Sequence, residues 1–174
     1  MKILYTIDCG LNAGGAPRST SILLDERAKE HEVYVLMPKT EEVGNPCVHY
    51  IQLESYKKSF PFFFTHPLKA IRLVIDVNRI VKSISPDIIH AQMPRGAWAL
   101  GLLKRLGQIN IPLIYTEREY VTGLRKIYQW IYAILVAKPF SLIICLSKKS
   151  IPFWLQYRIY QSGAPDGSSY ECFV

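Results

Sequence analysis

Apolar residues along this chain come in two alternating rhythms. Short, nearly unbroken runs rich in β-branched and aromatic residues occur at Lys2–Asp8, Glu32–Met37, Val48–Leu53, Asp87–Ala91, Pro112–Thr116 and Ser141–Leu146. Gly, Asn, Pro or Ser punctuate them, so they read as buried strands. Between them the spacing becomes helical. Pro17 suits the first position of a helix over Arg18–Glu30, with Ile22, Leu23 and Ala28 on one side. Leu68, Ile71, Val74, Ile75, Ile80, Val81 and Ile84 recur near a helical period over Pro67–Ile84, which Ser85-Pro86 stops. Trp98–Leu106, closed by Gly107, and Gly123–Lys138 complete the helices. Apolar strands separated by helices require a sheet covered on both faces. The pattern therefore predicts an α/β chain with a doubly wound, mostly parallel, Rossmann-like sheet.

At 174 residues the chain holds one good core rather than two. The pattern assigns residues 1–156 to one domain and 157–174 to an irregular, frayed tail, because Gln161–Ser169 turns to Ser, Gly, Pro and Asp without periodicity. Trp130–Leu146 is almost wholly apolar and invites a membrane-spanning reading, but Lys138-Pro139 divides it into a helix and a strand-length piece.

Charge and cysteine usage narrow the setting. The excess of 21 Lys+Arg over 14 Asp+Glu favours anionic partners without choosing among them. Cys9, Cys47, Cys145 and Cys172 are scattered, with no CxxC pair and no His at metal-ligand spacing, so neither a zinc site nor a disulfide framework is expected. The apolar stretch after Met1-Lys2 ends at Asp8, too short for a signal-peptide core. A reduced, cytoplasmic location is expected.

Four places carry candidate chemistry. Gly14-Gly15, just before a helix start, would let backbone N–H groups approach a phosphate at the positive helix end; a plain βα turn is the bland alternative. It lacks the G-x-G-x-x-G spacing of a dinucleotide site, which weighs against an NAD(P)-dependent oxidoreductase. His90, with Gln92 two residues on, sits at the carboxyl end of a central strand, where open α/β sheets meet ligands; a satisfied structural imidazole is the competing reading. Thr116-Glu117-Arg118-Glu119 ends the next strand, and its Arg suits either a phosphate or sugar hydroxyls, or an internally paired cluster. Lys57, Lys58 and the Phe60–Phe64 run, centred on Phe62 and Phe63, fit an anionic membrane interface, or burial under the following helix.

Met1–Ile7 with Gly14-Gly15-Ala16, then Ser85–Gln92, then Ile111–Thr116, then Leu142–Lys148, resemble in order and spacing the N-terminal domain of family-4 retaining glycosyltransferases, over about Met1–Gln156. The resemblance implies one half of a GT-B fold and a metal-independent transfer that retains anomeric configuration, with no cofactor beyond a UDP- or GDP-linked sugar donor as substrate. The implied partners are that donor and a saccharide or lipid-linked acceptor at the cytoplasmic membrane face, without nucleic acid. It further implies that Gly14, Gly15, His90, Gln92, Thr116, Glu117 and Arg118 line the substrate cleft. Where relatives carry a second His two residues after the first, this chain has Gln92; where many carry a donor-contacting His after the next strand, it has Glu117 or Arg118. The paired-carboxylate nucleotide motif of the family's second domain has no match. The chain is therefore expected to lack the donor domain and to be inactive alone, working with a separate C-terminal chain. A non-enzymatic acceptor- or membrane-docking module from a split or truncated enzyme is the alternative.

Overall fold

The computed structural model describes residues 1–11, 14–40, 44–56, 67–118, 125–146 and 148–159. The elements run β1 (Lys2–Thr6), α1 (Gly15–Arg27), β2 (Glu32–Pro38), β3 (Val48–Leu53), α2 (Pro67–Ile84), β4 (Ile88–Ala91), α3 (Pro94–Arg105), β5 (Leu113–Glu117), α4 (Lys126–Tyr132), β6 (Leu142–Cys145) and α5 (Ile151–Ile159). The six strands form one sheet in the order β3-β2-β1-β4-β5-β6. Every pairing is parallel, with Tyr5 opposite His90 and His90 opposite Ile114 at its centre.

Local chemistry explains where the elements depart from the pattern. Helix α3 begins four residues before Trp98, because Met93 is extended and Pro94 takes the first helical position. α4 continues into a π-helical turn at Ala133–Ala137, where Arg105 donates to the Ile134 carbonyl at 3.3 Å. The apolar stretch from Trp130 thus divides between this turn and β6. Among the described residues no helix is long and apolar enough to cross a membrane. Helix α5 was not legible in the periodicity; Pro152 stands in its first turn, where a missing N–H costs nothing, and the helix extends to Ile159.

Handedness decides which face each helix covers. Connections in a parallel sheet cross over right-handedly, so steps in opposite directions place their helices on opposite faces. β1 to β2 steps one way and carries α1 onto a face built from Ile3, Tyr5, Val33, Val35, Met37 and Val48. β3 to β4, β4 to β5 and β5 to β6 step the other way. Their helices enclose the main core, in which Trp98, Tyr115, Tyr132 and Trp154 meet edge-on at 5.4–6.0 Å between ring centroids, except for a tilted Tyr115–Tyr132 pair. The first face is therefore covered by one helix among the described residues. Over β4, β5 and β6 its side chains Ile88, Ile114, Leu142 and Ile144 are only half-buried.

Close packing makes Gly101 a sensitive point. A Cβ there would collide with the backbone carbonyl of Leu135 in the π-helical turn, which cannot swing aside as a side chain would. Alanine normally stabilises a helix interior by about 1 kcal/mol relative to glycine, but overpacking of this kind costs about 1–3 kcal/mol. Gly101→Ala should lower the urea midpoint and the Tm. Gly15→Ala, where among the described residues nothing lies within 4 Å of the added atom, should leave both unchanged or slightly raised.

Candidate functional site

The strand order reverses between β1 and β4, and such a switch opens a crevice at the carboxyl edge of the sheet. His90, next to the last residue of β4, and Thr116, next to the last residue of β5, meet there: the imidazole Nε2 lies 2.8 Å from Thr116 Oγ1. The Gln92 amide nitrogen is 3.0 and 3.4 Å from the two ring nitrogens, which places it over the ring rather than along either lone pair. Tyr5 of β1 packs at a tilt against the imidazole itself, with ring centroids 5.2 Å apart.

Arg118 ties this group to α1. Its Nε and Nη2 donate to Gln92 Oε1 at 3.0 and 2.7 Å, its Nη1 to Ser19 Oγ at 2.8 Å, and Nη2 also to Thr20 Oγ1 at 3.1 Å. Both hydroxyls in turn donate to the Ala16 carbonyl. The partners of the guanidinium among the described residues are thus all neutral. A fixed, half-buried cation held by acceptors that bring no charge keeps its attraction for an incoming anion.

That cation also acts on His90, after burial. Burial, then the charges of Arg118 and Arg27, lowers the imidazole to about 4, so the ring is neutral at pH 7. It can pass or accept a hydrogen bond there, but it carries no charge of its own.

Gly14 and Gly15 stand at the start of α1, on the same edge. Gly14 holds φ at 132°, a region that strongly favours glycine, and accepts the first helical bond from the Arg18 N–H at 3.2 Å. Among the described residues no atom lies within 4 Å of where a side chain would begin at either glycine, which leaves room there for a ligand's approach. Asp8, two residues past the end of β1, accepts the N–H groups of Arg95 and Gly96 at 2.8 and 3.3 Å and so anchors the amino end of α3 beneath the crevice.

Glu117 does not join the cluster. Strand alternation turns it to the opposite face, where it is 2% exposed and its carboxylate accepts the Trp154 indole N–H at 2.9 Å. Glu119 and the Lys57, Lys58, Phe62 and Phe63 stretch lie outside the described residues. Sequence reasoning passed over Ser19, Thr20, Arg27 and Tyr5. The available signal was positional: hydroxyls in the opening turns of a helix after β1 lie within reach of a long cation at the end of β5.

Below the polar cluster the half-covered face forms a trough of about 480 Å³. Ile3, Ile88, Ile114 and Ile144 give it an apolar floor, and Arg27, His31 and Arg118 bring basic or titratable groups to its lining. An anionic head at Arg118 and a less polar body along the strands is the ligand shape this surface accommodates.

The sequence model of Glycosyltransferase Family 4 matches residues 13–161. None of the curated proteins matches the chain in sequence. Similar folds among solved structures include a sucrose-phosphate synthase from Thermosynechococcus elongatus (TM-score 0.69, 13% identity, 99% of this chain and 47% of that one). A lipopolysaccharide outer core galactosyltransferase, WaaB, aligns with a TM-score of 0.63 and 12% identity over 98% of this chain and 44% of its own. HepE from Anabaena, solved with UDP and glucose, aligns with a TM-score of 0.57 and 14% identity over 90% and 41%. The chain thus spans less than half the length of each of these structures.

The imidazole offers a direct check. The unfolded ring binds its proton near the ordinary value of about 6.5 and the folded ring near 4. Between those values the unfolded chain holds more protons, so stability is full at pH 7 and falls as pH drops through that window, by on the order of 3 kcal/mol. Urea midpoints measured across the window should show this loss, and His90→Gln should flatten it. NMR titration should find the ring's pKa raised in Arg118→Gln.

Proposed function

This chain belongs to glycosyltransferase family 4, and we propose that it forms the N-terminal, acceptor-side wall of an enzyme that moves a glycosyl group from a UDP- or GDP-linked sugar to a saccharide or lipid-linked acceptor. The observation that carries this reading is the Arg118 guanidinium, preorganised by Gln92, Ser19 and Thr20 beside a glycine turn and above a neutral imidazole. In such a transfer the bond from the anomeric carbon to the diphosphate breaks, a bond to an acceptor hydroxyl forms, and the hydroxyl proton leaves. Negative charge builds on the departing diphosphate. Fixed donors aimed at that charge stabilise it most in the transition state, and the cation together with the open N–H groups of the α1 start supplies donors of that kind. His90, with Thr116 and Gln92, then positions hydroxyls of the sugar or acceptor through neutral hydrogen bonds.

A cleft needs two walls, and the solved relatives are more than twice as long as this chain. The isolated chain should therefore bind UDP- and GDP-sugars with a Kd on the order of millimolar and turn them over below detection. Titration of isotope-labelled chain with a panel of these donors is the test. The expected chemical-shift changes cluster at residues 14–20, 90–92 and 116–118 and vanish in Arg118→Gln. Micromolar binding, or changes centred elsewhere, would overturn the assignment of the donor-facing edge.

A further inference from the structure

The trough below the crevice carries a second cation that the transfer reaction leaves unused. Its volume of about 480 Å³ is that of a small-ligand cavity. Arg118 lines it at the carboxyl edge, and Arg27, from the last turn of α1, lines it together with Tyr5 and His31. A basic residue in that turn already complements the negative end of the helix, but this role requires no place in a cavity.

Nothing in the protein answers the Arg27 charge. Among the described residues its guanidinium makes neither an ion pair nor a hydrogen bond, and no carboxylate lines the trough. The acids beside it in sequence are turned to other partners: Glu26 pairs with Lys29 at 2.8 Å, and Asp25 accepts the Asn45 amide at 2.8 Å. Glu30 is exposed and outside the lining. The charge is nonetheless felt on the floor. Burial raises the Tyr5 hydroxyl, which Arg27 opposes, and burial lowers His90, to which Arg118 and then Arg27 add. A concave surface lined by one sign of charge concentrates its field on an incoming anion.

Spacing separates the two cations into two anchors. Ser19 and Thr20, which hold Arg118, precede Arg27 by seven or eight positions on one helix. At 1.5 Å per residue that is roughly 10–12 Å along α1. A diphosphate drawn to Arg118 therefore leaves Arg27, further down the strands, for a second negative group. Between them Tyr5, Ile3 and Ile88 offer an apolar floor on which the C–H face of a sugar ring can rest.

We propose that Arg27 is a specificity-determining anion anchor, and that the acceptor received by this wall is an acidic saccharide whose carboxylate or phosphate ester pairs with it. The planar fork of N–H donors fits either group. This rests on the reading of the crevice as the donor- and acceptor-facing edge, and adds the charge of the acceptor to it.

NMR titration of the full isotope-labelled chain with methyl glucuronide, glucose 6-phosphate and neutral methyl glucoside tests the proposal, in low-salt buffer where an exposed cation is least screened. One or both acidic sugars should shift the Arg27 side-chain Nε–H and the amides of Tyr5 and His31, binding on the order of tenfold more tightly than the glucoside. Which of the two does so identifies the head group. Arg27→Gln should remove the preference, Arg27→Lys, which keeps the charge, should retain part of it, and Arg118→Gln should leave the Arg27 response in place. Equal responses to acidic and neutral sugars, an acid response confined to Arg118, or an undiminished preference in Arg27→Gln overturns the proposal. UDP-glucose shifts at residues 14–20 and 116–118, read separately and expected unchanged in Arg27→Gln, report on the crevice itself. Their absence beside a surviving Arg27 response would overturn the donor reading alone, and their presence without an Arg27 response would overturn the acidic acceptor alone.

Discussion

Two neighbouring strands that run the same way cannot be joined by a tight turn; the chain must cross a face of the sheet to come back, and it does so with one hand. In this molecule all six strands are parallel, so that single constraint distributes everything else. It sends α1 to one side and α2 to α4 to the other, and α5, which follows the last strand, joins the second group through Trp154. It also makes the strand order reverse at β1, and the loops that end β1, β4 and β5 diverge at that reversal to leave the crevice occupied by His90, Thr116 and Arg118. The uncovered strip of isoleucines below it has the same origin, because no leftward connection beyond α1 carries a helix over it among the described residues.

Within the crevice one charge sets the chemistry of its neighbours. Arg118 is held by oxygens that carry no charge, so its field is not cancelled locally and acts on whatever lies nearby. On the imidazole it works with burial to expel the proton. On an anionic ligand the same field works as attraction. A carboxylate in place of Gln92 would satisfy the guanidinium and remove both effects, which gives the amide at that position a physical meaning of its own.

Much of this was legible in the residue pattern, and the failures have identifiable causes. The strands were placed to within one or two residues because both faces of a parallel sheet are apolar and Pro, Gly and Asn mark their ends. His90, Gln92, Thr116 and Arg118 were found as strand-end polar residues, and the structure brings them together. Glu117 was grouped with them by adjacency in sequence, although the alternation of a strand sets it on the other face, with Trp154. The period over Pro67–Ile84 identified a helix but not its orientation: apolar residues occur on both sides of it, and only the positions of β3 and β4 determine that Leu68, Ile71 and Ile75 point outward. Ser19 and Thr20 were invisible because their partner lies on a distant strand.

That distance bears on how the molecule folds. Arg118 and Ser19 are 99 positions apart in sequence, yet one hydrogen bond joins them. Closing a loop of that length loses much chain entropy before any contact is gained, and both ends must already be mounted on finished elements of opposite sheet halves. The Arg118 cluster therefore needs both halves of the sheet in place and is lost when they part. A nascent or partly unfolded chain can hold its strands and α1 without holding the crevice cluster together.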